Sequence, residues 1–140
     1  MRTLGRISLL LIALTLLVAL YLGSCSKAWQ MDYGKPAAQF LAKDVATKGQ
    51  PYLGEKITIK GTVAKVDTSD PKAAWVYLEH GIRCNLGKFQ AMAQSYKVGD
   101  TAFIDGFLKR CAEGEVLLEP AMGRDSKAPF TPISSKGANP

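Results

Sequence analysis

Few residues in this chain could do covalent chemistry, and their spacing limits what they could do. The 140 residues contain one histidine, His80, and three cysteines, Cys25, Cys84 and Cys111. His80 precedes Gly81 between two alternating apolar segments, where a hairpin turn is expected, and no nearby residue suggests a partner for general-base work. One histidine with separated cysteines does not supply the three or four ligands that a metal site needs. Asp67 and Asp70 belong to "DTSDPK", whose composition is that of a tight turn rather than a calcium loop. Neither a phosphate-cradling glycine loop nor a G-x-S-x-G elbow occurs. The pattern points away from catalysis, and it calls for no cofactor and no metal.

The start of the chain carries a different kind of signal. "MRTLGR" holds two arginines, and the 20 residues from Ile7 to Ser26 hold no charge. A basic n-region followed by an apolar h-region is an export leader, and the run is also just long enough to span a bilayer as an uncleaved helix. "LGSC", Leu22 to Cys25, resembles the lipobox of bacterial lipoproteins. That resemblance implies cleavage before Cys25 and acylation of its sulfur and new amino group, with about 0.8 kcal/mol of membrane affinity per buried CH₂. Lipoprotein, helical anchor and secreted protein all place residues 27–140 outside the cytoplasm. The expected layout is a leader over 1–24, a tether over 25–35, a domain over 36–120 and a flexible tail over 121–140.

Formal net charge is +6, of which Arg2 and Arg6 contribute two. The exported part is mildly basic, too diffusely so to single out nucleic acid. If Cys25 is lipidated, Cys84 and Cys111 remain in an oxidising compartment. A bridge between them would close a loop of about 27 residues, worth roughly 3–4 kcal/mol. The other reading is two buried thiols acting as small hydrophobes.

The domain reads as short elements. "PAAQFLAKDVATKG", from Pro36 to Gly49, has Ala37, Phe40, Leu41 and Val45 on one helical face and predicts a short amphipathic helix. Ile57 to Val66 predicts a strand, with Ile57, Ile59 and Val63 on one side and Gly61 in its middle. Val76 and Leu78, then Ile82, Cys84 and Leu86, mark two more strands around His80-Gly81. Phe89, Met92, Ala93 and Tyr96 form a helical stripe. "TAFIDGFLKR", with central Gly106, and "EVLLEP", closed by Pro120, complete five strands. Three strands, a helix and two strands in about 65 residues is the arrangement of a small five-stranded OB-fold barrel, all-β with minor α. Gly61 and Gly106 are expected to let the barrel curl. The even number of Val66 against odd Val63 predicts a bulge after Gly61.

"YLGEKITIKGTVAKV", "VYL…IRCNL" and "YKVGDTAFIDGFLK…EVLLEP" together resemble the tRNA_anti-like family of exported OB-fold proteins. Tyr52, Gly54, Lys56, Gly61, Val63, Cys84 and Gly99-Asp100 fit its form over about residues 35–120. The resemblance implies the fold and an envelope address; its name records a fold likeness, not tRNA binding.

One surface could bind. Strand alternation puts Trp75 and Tyr77 beside Arg83 and Asn85, with Lys60 and Thr62 on the neighbouring strand. Aromatic area with flanking cations suits a protein surface, a sugar chain or a single nucleic-acid strand. Alternatively, the Pro36–Lys48 helix or the tail with Phe130 covers the two aromatics. The expected partners are the membrane, through a lipid or helix, and an envelope protein or glycan, with single-stranded nucleic acid as the competing reading.

Overall fold

The computed structural model describes residues 11–17 and 35–133. The chain divides into two compact units, 1–34 and 35–140. In the first, residues 11–17 are helical, with the Thr15 hydroxyl donating to the carbonyls of Leu11 and Ile12 at 3.1 and 2.9 Å. No helix among the described residues is long and apolar enough to cross a membrane. The lipobox, Cys25, and the tether apart from Lys35 lie outside the described residues, as do 134–140.

The second unit holds β1 (Ala38–Leu41), α1 (Ala42–Lys48), a 3₁₀ turn (Gln50–Tyr52), β2 (Lys56–Asp70), β3 (Ala73–Leu78), β4 (Ile82–Asn85), α2 (Gln90–Gln94), β5 (Thr101–Ala112) and β6 (Glu115–Gly123). The sheet runs β1-β2-β3-β4-β6-β5 and closes through β2–β5, giving the five-stranded OB-fold barrel with β1 added outside it. Alternation drives each strand. In β3, Ala74, Val76 and Leu78 are buried while Trp75 and Tyr77 face outward; in β4, Ile82 and Cys84 are buried. Phe40, Ile57, Ile59, Val63, Ile104, Leu108 and Leu118 fill the same core.

The 15-residue β2 serves both halves of the barrel. Lys56–Thr62 pairs with β5, and Val63–Asp70 pairs with β3. The changeover carries the expected bulge: Val63 pairs with Leu78, but Lys65 pairs with Tyr77. Gly61 lies just before it, and close packing is its reason. A Cβ there would come within 2.9 Å of the Ala42 Cβ and 3.2 Å of Leu78 Cδ1. Gly106 is equally hemmed in, by Leu118 and by the Pro120 carbonyl, each 3.0 Å from such a Cβ, and a register shift follows it.

Several expected boundaries move. The predicted helix from Pro36 begins only at Ala42, because Ala38–Leu41 form β1 in parallel register with Ile57–Lys60. Ala, Gln and Leu favour a helix locally, but burying Ala38 and Phe40 on one side of an extended segment wins. The Phe40 ring meets Tyr52 edge-on at 5.6 Å. β2 extends through most of "DTSDPK", leaving the turn to Pro71-Lys72. In the stripe of α2, Ala93 is fully buried and Met92 and Tyr96 pack on the core, but Phe89 stays exposed. Its ψ of 60° places it outside the helix, so the helical period does not reach it. Pro120 does not end β6: Ala121–Gly123 pair with Ile104–Gly106, and residues 124–133 continue as a bonded segment rather than a loose tail.

Candidate ligand-binding face

The bulge in β2 decides which side chains reach the outer surface beside β3. Before it, odd-numbered residues point inward; after it, Val66 packs on the core while Lys65 and Asp67 turn outward. Lys65 therefore stands opposite Tyr77, and Asp67 opposite Trp75. On the other side of β3, Tyr77 is paired with Arg83 and Trp75 with Asn85. These residues form one ladder. The Trp75 and Tyr77 rings lie 6.3 Å apart at 32°, Lys65 Nζ sits 5.3 Å from the Tyr77 ring, and Arg83 Cζ sits 6.0 Å from that of Trp75.

Acidic groups interleave with the cations. Glu119 Oε2 accepts from Asn85 Nδ2 at 3.2 Å, and Asn85 Oδ1 accepts the Gly87 N–H at 2.9 Å, which fixes the amide. Arg83 approaches Glu115 at 3.9 Å, while Arg110 pairs with the same carboxylate at 2.7 Å. The Ser69 hydroxyl and N–H, 2.7 and 3.0 Å from Asp67, hold that carboxyl below the usual range, so it is anionic at neutral pH.

Of the six residues expected at the face, the structure brings four together: Trp75, Tyr77, Arg83 and Asn85. Lys60 and Thr62 belong to the other half of β2. Lys60 pairs with Phe103 and holds its ammonium 5.5 Å from that ring, and Thr62 pairs with Thr101. Lys65, Asp67 and Glu119 take the remaining places. The parity change at Val66 was the signal for the first two; Glu119 is reached only through the non-local β4–β6 pairing.

The outer surface around Thr58 is covered, whereas Lys60 and Phe103 stay partly exposed, as Trp75 and Tyr77 do. Thr58 is fully buried and donates its hydroxyl to Asp105, whose other oxygen accepts from Arg124 at 3.1 Å. Phe130 stands edge-on to Phe103 at 5.4 Å. The segment carrying Phe130 thus packs on β5 rather than on Trp75 and Tyr77, which remain partly exposed.

The cysteines are not joined. Cys84 faces the core from β4 and Cys111 donates to the Val45 carbonyl at 3.2 Å; both are thiols. Desolvation pushes both thiols up, Cys84 most strongly, so neither is a ready nucleophile. His80 lies exposed in the β3–β4 turn with φ of 68°, a turn residue as expected. Among the described residues, no three His, Cys, Asp or Glu side chains cluster as a metal site.

No protein-family model and no curated protein matches the chain. Solved structures to which it is similar include a lipoprotein of Klebsiella pneumoniae subsp. pneumoniae whose name assigns it nucleic-acid binding, at TM-score 0.42 and 15% identity, covering 59% of this chain and 80% of that one. Another is a Leishmania major Friedlin protein named as an aspartyl-tRNA synthetase, at 0.39 and 10%, covering 68% and 22%. A third is the S. pombe Stn1-Ten1 complex, at 0.35 and 9%, covering 66% and 82%. At these scores the assignment to the OB fold rests on the closed strand order β2-β3-β4-β6-β5 itself.

Proposed function

We propose that the chain is a non-catalytic binding module of the cell envelope, anchored by a lipid on Cys25 or by its apolar leader. Its partner is an envelope protein or glycan, and it docks on the outer face of β2, β3 and β4. The observation that carries this reading is the ladder Lys65–Tyr77–Trp75–Arg83, two adjacent partly exposed rings with a cation at each end, set apart from the ring contact that Phe130 makes with Phe103. Partly exposed aromatics supply contact area at low entropic cost, and the interleaved amide and carboxylates give orientation through hydrogen bonds.

Envelope peptides and glycan fragments titrated into isotope-labelled full-length protein should shift the Trp75 indole and Tyr77 amide signals together. Trp75→Ala should weaken binding about tenfold or more, the loss of one central aromatic contact. Ligand-induced shifts confined to other surfaces would sink the reading. The competing reading, single-stranded nucleic acid, draws on the same aromatics with a cation at each end of the ladder. Asp67, Glu115 and Glu119 oppose a polyphosphate there. An oligothymidine that binds at low ionic strength and falls away steeply with salt would establish that reading in place of the first.

A further inference from the structure

Residues 128–133 lie against the barrel much as a separate extended peptide would. Gln39 of β1 grips their backbone with a single amide: Nε2 donates to the Pro129 carbonyl at 3.3 Å, and Oε1 accepts the Thr131 N–H at 2.7 Å. The main-chain carbonyl of Gln39 accepts the Ile133 N–H at 2.8 Å. Between these bonds, Phe130 meets Phe103 at 82°. Main-chain bonds with one side-chain anchor are the pattern of strand addition at a sheet edge. β1 is such an edge, ladder-paired with β2 alone.

The segment has two further holds, Arg124 Nη2 donating to the Pro129 carbonyl at 3.2 Å and Ile133 packing on the core, and open space beside them. A groove of about 640 Å³ is lined by Lys35–Gln39 together with Pro129, Thr131 and Ile133, and one of about 380 Å³ lies on the side of Tyr96 and Thr101. Pro129 and Pro132 have no N–H to donate, so the segment cannot build a full ladder on β1.

We propose that this surface is a peptide-docking site occupied in cis by residues 128–133, and that its trans ligand is an extended segment of a protein partner. That segment carries an aromatic side chain immediately before a residue with a free N–H, as Phe130 precedes Thr131. The tethered occupant competes at an effective concentration of about millimolar, so a displacing partner must make the main-chain bonds that the prolines withhold. The site shares no residue with the Trp75–Tyr77 ladder, and each can fail without the other.

The test uses fluorescent peptides of residues 124–133, one in the native sequence and one with Pro129→Val and Pro132→Val, added to the full-length chain. The valine peptide should bind about tenfold more tightly than the native one, and Gln39→Ala in the chain should weaken both, because its amide holds the 129 carbonyl and the 131 N–H that they share. Phe130→Ala in the chain should loosen the resident segment and raise affinity for the native peptide by about tenfold. In the unmodified protein, the Thr131 and Ile133 amides should exchange together, about 100-fold faster than those of Ile104 and Leu118. Failure of both peptides to bind the Phe130→Ala chain, or binding indifferent to Gln39→Ala, overturns the proposal. So do segment amides that exchange no faster than β5. A concentration-dependent dimer enhanced by Phe130→Ala also overturns it, because a second copy is then the occupant.

Discussion

The two outer surfaces reached by β2 are built from similar materials and treated in opposite ways. Beside Lys56–Thr62, the surface carries Lys60, Phe103 and the Thr58–Asp105–Arg124 chain of bonds, and Phe130 packs on it. Beside Val63–Asp70, it carries Lys65, Tyr77, Trp75 and Arg83, with no covering segment among the described residues. Both pair cations with aromatic rings. The difference lies beneath the rings: the first surface has Thr58 and Asp105 buried in a polar chain that ends on Arg124, whereas the second carries its polar groups partly exposed.

Removing Asp105 should break the covered side most severely. Asp105→Ala leaves Arg124 without its ion-pair partner and Thr58 without its acceptor, costing about 3 kcal/mol in chemical denaturation. A loss as small as that expected on the open side would erase the contrast. Gly61→Ala strikes the hinge between the two surfaces. Its methyl group would press on Ala42 and Leu78, for a destabilisation of about 2 kcal/mol with broadened amide signals around Val63.

Cys84 lies on the inner side of the open wall, and burial raises its pKa in the folded state. The folded chain therefore keeps the proton that the unfolded chain loses near the ordinary thiol value of 9.0. The associated stability is complete below that pH and declines above it, by about 1 kcal/mol between pH 9 and 10. Cys84→Ala should flatten most of that decline in denaturant titrations at fixed pH values. Trp75→Ala and Tyr77→Ala should have the smallest effect on stability. Each removes a partly exposed cation–ring contact worth about 0.5–1 kcal/mol, reduced in high salt, along with the packing of the ring's inner edge. Should either variant unfold as readily as Asp105→Ala, the ladder is a structural brace and the contrast is lost.

Much of the barrel was legible because alternation within a strand is a local signal. Val76 and Leu78, Ile82 and Cys84, and the bulge after Gly61 all read correctly from their neighbours. What escaped was decided by distant partners. Ala38–Leu41 is helical by propensity and extended only because Ile57–Lys60 offers it a ladder. Residues 121–133 lack an apolar period, yet Ala121 pairs with Gly106, and Gln39 holds Pro129 and Thr131 across the fold. The face was half legible: Trp75, Tyr77, Arg83 and Asn85 follow from a local hairpin. Lys60 and Thr62 do point outward, but they lie before the bulge, on the stretch of β2 that pairs with β5, and that division of one strand between two partners has no local signal.

The Lys56–Asp70 ribbon acts as a common rib between two walls. Ladder bonds on both sides of that rib link the two walls, so a guest bound to one end should stabilise the backbone they share. Occupancy at Tyr77 would then register as slower solvent exchange at Ile57 and Ile59, on the far stretch of the same backbone.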